Sequence, residues 1–218
     1  MTTTTYSPAL FDVADEAAAR RIILTPEGRS TEARWETETP ALASLAGAVL
    51  RLGPDSRVLD YGCGIGRLPR ALIERFGCRV TGVDISARMR ALAPDYVRSD
   101  RFEVITPAAL FDWGEGAFDA ALAIWVLQHC HKPEADSGLI RRALKTGGRL
   151  LVVNNFHRAV PVVEKTWAND GFDVAAHLAA TFTELERGDL PASMLGETLA
   201  RLTFWGVYEA PGPQETDT

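Results

Sequence analysis

The sequence predicts an α/β fold: a doubly wound, mainly parallel sheet of seven strands with helices on both faces. Short apolar runs that suit buried strands alternate along the chain with longer segments of helical periodicity. One of these runs ends in an acid and three alternating glycines, Asp60–Gly66, and a helical pattern follows at once. Strands that alternate with helices pair in parallel through right-handed crossovers, and such sheets bind ligands at the carboxyl ends of their strands.

The composition argues against several classes of protein. With 218 residues, of which 46% are apolar and 24% charged, the chain suits one globular domain with a sizeable core. The longest apolar stretch, Ala120–Leu127, is too short to cross a bilayer, and the first residues lack a signal-peptide pattern. A formal net charge of −6 without a long Lys/Arg run argues against nucleic acid. We therefore expect a cytoplasmic protein with no membrane or nucleic-acid partner.

The segment before the predicted sheet has a different character from the rest. Residues 1–40 contain a predicted helix around Leu10–Ile23 and a polar stretch, Arg29–Pro40, and we assign them to a lid or substrate-pocket segment. The main domain is predicted to span residues 41–210. The polar tail 211–218 is expected to be frayed.

The remaining elements follow in chain order. Strands are predicted at Arg57–Asp60, Arg79–Asp84, Phe102–Thr106, Phe118–Ile124, Arg149–Asn154, Phe172–Ala175 and Leu202–Glu209. Helices are predicted at Ala41–Leu52, Leu68–Phe76, Ser86–Leu92, Ala135–Leu144 and Val160–Asp170.

The glycines after the first strand indicate a nucleotide-binding turn. Glycine at every second position lets the backbone turn tightly and approach a ligand closely, with a helix N-terminus open behind it. A dinucleotide fingerprint, GxGxxG, would place its third glycine at Arg67, which is too large for that role. The pattern here is DxGxGxG instead.

This DxGxGxG pattern resembles motif I of the class I S-adenosylmethionine-dependent methyltransferases. Phe118-Asp119 and the turn Leu144–Leu150 strengthen the resemblance, which covers roughly residues 41 to 155. It implies that S-adenosylmethionine is the cofactor and that the final strand, Leu202–Glu209, is antiparallel. The motif positions that the resemblance assigns to the cofactor are Asp60, Tyr61, Gly62, Cys63, Gly64 and Gly66.

Asp84 ends the second predicted strand, where a carboxylate can accept hydrogen bonds from both hydroxyls of a ribose. The matching acid of the family has this role, so the resemblance gives it to Asp84, with Ile85 beside it in the cofactor site. The alternative is that Asp84 caps the next helix, although Ser86 offers the same cap.

The third strand departs from the family pattern. Many relatives carry an acid just after it that binds the amino group of adenine, but Val104–Leu110 contains no carboxylate. The backbone of Pro107–Ala109, with Ala108 at its centre, or the Thr106 hydroxyl could contact adenine instead. Asp112 is a less well placed candidate.

The ends of the fourth and fifth strands should face the transferred methyl group. Trp125 is predicted to form a wall of the adenosine or substrate pocket. His129 and His157 are candidate bases, because a neutral imidazole can take a proton near pH 7. Each could equally be structural, and His131 is expected to lie on the surface. No metal is expected, since Mg²⁺ prefers carboxylate ligands and none stands near Trp125.

These features predict an S-adenosylmethionine-dependent methyltransferase that acts on a small-molecule acceptor, most simply by O- or N-methylation. The signatures of nucleobase-amino and cytosine C5 enzymes are missing from the fourth strand. Two alternatives remain open. One is a catalytically silent S-adenosylmethionine-binding regulatory protein, and the other, which Arg67 disfavours, is an NAD(P)-dependent oxidoreductase.

Overall fold

The computed structural model describes residues 5–26, 28–163 and 166–212. The chain starts with a short 3₁₀ turn, Pro8–Phe11, followed by helices α1 (Glu16–Ile23) and α2 (Thr31–Leu50). The predicted first helix is therefore two separate elements. Serine and aspartate caps account for both helix starts, because Asp15 accepts a hydrogen bond from the amide of Ala18 and Ser30 one from Ala33.

Helix α2 begins ten residues earlier than the predicted Ala41, so the boundary drawn at residue 40 lies inside a helix. Pro40 lies inside the helix, although an internal proline removes one helical hydrogen bond. The helix continues through it because one face of α2, including Trp35 and Leu42, is buried. Tertiary packing outweighs the local cost.

The central elements are β1 (Arg57–Tyr61), α3 (Arg67–Phe76), β2 (Arg79–Val83), α4 (Ala87–Val97), β3 (Phe102–Ile105), α5 (Pro107–Asp112), β4 (Phe118–Ile124), α6 (Pro133–Ala143) and β5 (Leu144–Asn155). The predicted strands and helices of this part are confirmed, but α5 was not predicted and β5 begins five residues before the predicted Arg149.

The last third of the chain corrects several predictions. Its elements are β6 (Val160–Val162), β7 (Thr166–Ala168), α7 (Val174–Thr181), β8 (Thr183–Asp189), α8 (Ala192–Leu195), α9 (Glu197–Leu202) and β9 (Thr203–Glu209). The predicted helix Val160–Asp170 is wrong, because β6 and β7 form an antiparallel hairpin there. The predicted strand Phe172–Ala175 is also wrong, since α7 occupies it. Strand β8 escaped detection because it is an almost fully exposed edge strand without an apolar pattern.

Seven strands form one sheet in the order β3-β2-β1-β4-β5-β9-β8. The strands β1 to β5 pair in parallel, whereas β9 is antiparallel to both β5 and β8, as predicted for the last strand. Successive residues of β1 pack on opposite faces, so Val58 and Leu59 belong to different core clusters. Strand order reverses between β1 and β4, and ligands bind at this kind of switch point.

The start of the chain lies over this carboxyl edge. Tyr6 forms an antiparallel bridge with Val162, and the amide of Ser7 donates to the carbonyl of Pro161 at 2.9 Å. Further along, the Arg20 guanidinium stacks 4.8 Å from the centre of the Trp35 ring. The N-terminal segment is therefore fixed to the β6–β7 hairpin at one end and to α2 at the other. No helix in the described ranges is long and apolar enough to span a membrane.

Candidate functional site

The turn Asp60–Gly66, called the glycine turn below, joins β1 to α3. Gly62, Gly64 and Gly66 have φ angles of +80°, +57° and +87°, which L side chains rarely adopt. A Cβ atom on Gly62 would lie 2.2 Å from Cγ2 of Val126, and one on Gly66 would lie 2.3 Å from Cγ2 of Val97. The glycines are thus required for backbone conformation and for close packing of the surrounding side chains.

Asp84 ties the glycine turn to the end of β2. Its Oδ2 accepts a hydrogen bond from the amide of Gly64 at 2.8 Å, and its Oδ1 accepts one from the amide of Ser86 at 2.8 Å. Ser86 caps α4 by accepting from the amide of Met89. Burial raises the pKa of Asp84, while the two amides oppose that shift. The helix cap therefore belongs to Ser86, and the amides of Gly64 and Ser86 hold the Asp84 carboxylate in place at the carboxyl edge of the sheet.

Asp60 and Arg67 are both buried, at the start of the glycine turn and just after its end, and they interact electrostatically. Burial raises the pKa of Asp60 to about 7, while Arg67 acts in the opposite direction and Asp84 adds to the rise. Burial lowers the pKa of Arg67 to about 10, with Glu38 and Asp60 opposing it. The Arg67 guanidinium lies 5.5 Å from the centre of the Trp35 ring. A positively charged ligand next to Asp60 would favour its ionised form.

Trp125 follows β4 in a strained conformation. Its φ is +54°, a genuine outlier for so bulky a residue. The backbone amide donates to the carbonyl of Val153 at 2.6 Å and holds the residue in place. Within the described part of the chain, the buried indole Nε1 has no hydrogen-bond partner. An unpaired buried donor at a strained position marks Trp125 as a candidate functional residue.

A cavity of about 610 Å³ opens at this edge, a size suited to a small ligand. The predicted site residues that line it are Tyr61, Gly62, Gly64, Asp84, Ile85, Trp125 and His129. Asp60, Cys63 and Gly66 lie buried in the glycine turn without lining it. After β3 the lining residue is Pro107, and Ala108 is exposed outside the cavity. His157 is exposed and also lies outside the lining.

His129 has a protein partner on each ring nitrogen. The amide of Asn155 donates to Gln128 Oε1 at 2.7 Å, which turns the Gln128 amide nitrogen toward His129 Nε2 at 3.1 Å. His129 Nδ1 lies 2.6 Å from the carbonyl of Ala159, so Nδ1 carries the proton and Nε2 accepts. Burial lowers the pKa of His129 to about 4. The imidazole is held neutral with its lone pair already used.

Aromatic rings from three distant segments form the far side of the cavity. The His129 ring lies 4.9 Å from Trp167 and 5.8 Å from Phe11, and Tyr6 stacks on His131 at 5.0 Å. These five residues are called the aromatic wall below. His131 is exposed, as predicted, and it also lines the cavity. Phe11 and Trp167 were missed because the sequence does not show that their segments meet.

Metal ligands are not clustered here. Among residues 5–26, 28–163 and 166–212, no group of three or more His, Cys, Asp or Glu side chains could hold a metal ion.

Comparison with known proteins finds similarity to methyltransferases. Residues 59–152 match the family model described as a methyltransferase domain. The 2-methyl-6-phytyl-1,4-hydroquinone methyltransferase of Synechocystis sp. is 29% identical over 78% of this chain and 56% of its own length. The chain spans only 24% to 56% of the length of the first three curated relatives that it matches.

Two solved structures share the fold over most of the chain. The (4+2)-cyclase SpnF superimposes with a TM-score of 0.66 at 22% identity, covering 86% of each chain. A geranyl diphosphate methyltransferase in complex with SAM superimposes with a TM-score of 0.64 at 18% identity, covering 95% of this chain and 96% of that one. At these identities the likeness concerns the fold alone.

Proposed function

We propose that the chain is a class I S-adenosylmethionine-dependent methyltransferase that transfers a methyl group to a small molecule, because residues 59–152 match the model of a methyltransferase domain. One observation carries the proposal most directly. A single cavity joins the glycine turn and Asp84 to the aromatic wall, so a cofactor and an acceptor can lie side by side.

The residues present fit the cofactor. Asp84 has lone pairs left for ribose hydroxyls, and Ile85 offers an apolar surface to the base. Trp125 also lines the cavity, so its ring can contact the cofactor. When bound, S-adenosylmethionine supplies a methyl group that the positive sulfur already activates. The protein then has to hold the acceptor in line with that group, and positioning supplies most of the acceleration.

The cavity walls indicate what kind of acceptor fits. Phe11, His129 and Trp167 present ring faces and edges suited to an apolar or aromatic molecule. A cavity of about 610 Å³ suits a small molecule rather than a polymer. We keep O- or N-methylation as the proposed reaction.

The geometry argues against His129 and His157 as bases for proton transfer. His129 can act as a base only if Gln128 gives up its bond to Nε2, and a pKa of about 4 makes it a weak base. His157 reaches the cavity only if its loop rearranges. We therefore favour an acceptor that needs no imidazole base, such as a neutral amine.

Two ligand tests address the proposal. S-adenosylmethionine and its demethylated product should raise the melting temperature, whereas NAD should not. At a hundredfold excess over Kd, ligand binding should add about 2.7 kcal/mol to the free energy of unfolding. Asp84→Ala should remove the shift, and Asp95→Ala on the exposed face of α4 should keep it. Transfer from isotope-labelled cofactor to a pool of small amines and phenols, read by mass spectrometry, then tests catalysis. Binding without transfer to any acceptor would favour the silent regulatory protein.

A further inference from the structure

Asp136 lies where the glycine turn and the aromatic wall meet. It stands in the first turn of α6 and lines the cavity together with Tyr6 and Tyr61. The hydroxyl of Tyr61, a residue of the glycine turn, donates a hydrogen bond to Asp136 Oδ1. Asp136 also acts electrostatically on Tyr6, a member of the aromatic wall. Its carboxylate is therefore placed between the side proposed for the cofactor and the side proposed for the acceptor.

Three side chains close to Asp136 are neutral. Burial raises the pKa of Tyr6 to about 12, with Cys130 and Asp136 adding to the rise and Arg158 opposing it. Burial also raises the pKa of Tyr61 and of the Cys130 thiol, and Asp136 raises both further. The two phenols and the thiol thus keep their protons near neutral pH. They can donate hydrogen bonds, but none of them balances the charge of the carboxylate.

The nearby cations do not pair with Asp136. The buried Arg158 guanidinium donates to two backbone carbonyls at 2.6 Å each, and it forms an ion pair with Asp170 at 2.9 Å. Lys132 is exposed and lines the cavity. In the part of the chain that the structure describes, none of the ion pairs includes Asp136. A carboxylate that faces a ligand cavity without a protein cation favours a ligand that brings a positive charge.

Asp136 also retains acceptor capacity beside an apolar surface. A carboxylate offers about four lone-pair positions, of which Tyr61 and Cys130 use two at most. The aromatic wall lines the same cavity. Aromatic rings attract cations at their faces and pack against apolar groups. The combination suits an ammonium group that is attached to an apolar or aromatic body.

We propose that Asp136 binds the amino group of the acceptor, so that the cavity selects amines with an apolar or aromatic body. The proposal rests on the proposed function and names the acceptor class of the same site. It makes Asp136 the residue that distinguishes an amine from an alcohol of the same shape.

The position of the charge gives Asp136 a part in the reaction as well. An alkylamine is largely an ammonium ion in neutral water, so its nitrogen first loses one proton to solvent. The neutral amine can still donate an N–H to Asp136 while its lone pair forms the new N–C bond. The C–S bond breaks, its electron pair stays on sulfur, and the positive charge passes to the nitrogen. A carboxylate beside that nitrogen stabilises the developing charge.

The test compares amines with matched alcohols on the wild-type chain saturated with S-adenosylhomocysteine. The probes are benzylamine and phenethylamine with benzyl alcohol and phenethyl alcohol, which keep the ring and replace the ammonium group by a hydroxyl. Titrations followed by ligand-observed NMR should show that each amine binds roughly ten- to hundredfold more tightly than its alcohol, the usual strength of a hydrogen bond to a charged group.

Asp136→Asn should reduce this preference to less than about threefold, because the amide carries no charge but can still accept a hydrogen bond from either probe. The affinity for S-adenosylhomocysteine should stay unchanged. Glu134→Gln is the matched control, since Glu134 is exposed in the same turn of α6 and lies outside the cavity lining. It should keep the full preference.

The outcomes separate the two proposals. A wild type that binds S-adenosylhomocysteine but binds amines no better than alcohols, or binds neither, would overturn the role of Asp136. A full preference in Asp136→Asn would also overturn it. The wild-type comparison needs no variant, so poor folding of Asp136→Asn does not protect the inference. If the wild type does not bind S-adenosylhomocysteine at all, the proposed function itself fails.

Discussion

The glycine turn and the aromatic wall face each other across one cavity, but they are built in opposite ways. The turn is a continuous stretch of chain whose geometry depends on its own backbone. Gly62 and Gly64 adopt positive φ angles, and the amide of Gly64 donates a hydrogen bond to Asp84. The wall takes Phe11, His129 and Trp167 from three distant segments. The turn should therefore tolerate almost no substitution, whereas the wall should change acceptor choice without unfolding the protein.

Gly62 offers the most severe test of this contrast. Gly62→Ala should abolish cofactor binding and destabilise the fold by several kcal/mol, because it combines a positive φ with a Cβ 2.2 Å from Val126. Gly114→Ala is the matched control, since Gly114 has a φ of +87° but nothing within 4 Å. In urea denaturation, the free energy of unfolding should fall by about 1–3 kcal/mol less in the control than in Gly62→Ala. Equal losses would mean that the close packing of the turn contributes little.

Trp167 tests the wall. Trp167→Ala should lower kcat/KM for the acceptor by about ten- to a hundredfold through lost ring contacts, while leaving cofactor affinity unchanged. Its side chain is 49% exposed, so the fold should survive. Phe111→Ala, at a 60% exposed ring outside the cavity, should affect neither quantity. A parallel loss of cofactor affinity in Trp167→Ala would show that the two regions are not independent.

Asp60 gives the glycine turn a pH dependence that the wall should not share. Its folded-state pKa is raised from 3.8 to about 7, so its contribution to stability is present below pH 3.8 and is lost as the pH rises through about 7. Asp60→Asn should therefore raise the free energy of unfolding at pH 8, by about 4 kcal/mol at most, and this gain should disappear toward pH 4. Denaturation curves across that range measure it.

Asp119 is the control for this pH profile. The hydrogen bond from Lys145 lowers the pKa of Asp119 although burial opposes it, so its stabilising effect is lost as the pH falls. Asp119→Asn should consequently show the opposite pH trend. A flat difference between Asp60→Asn and wild type from pH 4 to pH 8 would contradict the buried-acid interpretation.

His157 provides the smallest expected effect. Because it is exposed and outside the cavity, His157→Ala should change turnover by less than about twofold. His129→Gln should not remove an ionisation near pH 6.5 from the pH–rate profile, since the pKa of this imidazole is already lowered to about 4. A drop of a hundredfold in either variant would restore the hypothesis of an imidazole base.

The same contrast explains which features could be predicted from the sequence. Asp60–Gly66 and Asp84 follow apolar runs, so local pattern was enough to predict the turn and the edge of the sheet, whereas the ribose role of Asp84 was predicted from the family resemblance. The wall depends on the β6–β7 hairpin, whose strands are three residues each, too short to show a period of two. Trp125 was identified as a pocket wall, but its strained backbone and orphaned nitrogen depend on tertiary structure.

The position of Trp125 also makes the protein its own optical probe. The chain has five tryptophans, and both Trp125 and Trp167 line the cavity. Indole emission is sensitive to local polarity, which a ligand bound in the cavity would change. In a Trp167→Phe variant, a shift of the emission would report that the cofactor has bound near Trp125. In the wild type, Trp167 would also report binding of the acceptor. Binding order could then be followed by rapid mixing without any attached dye.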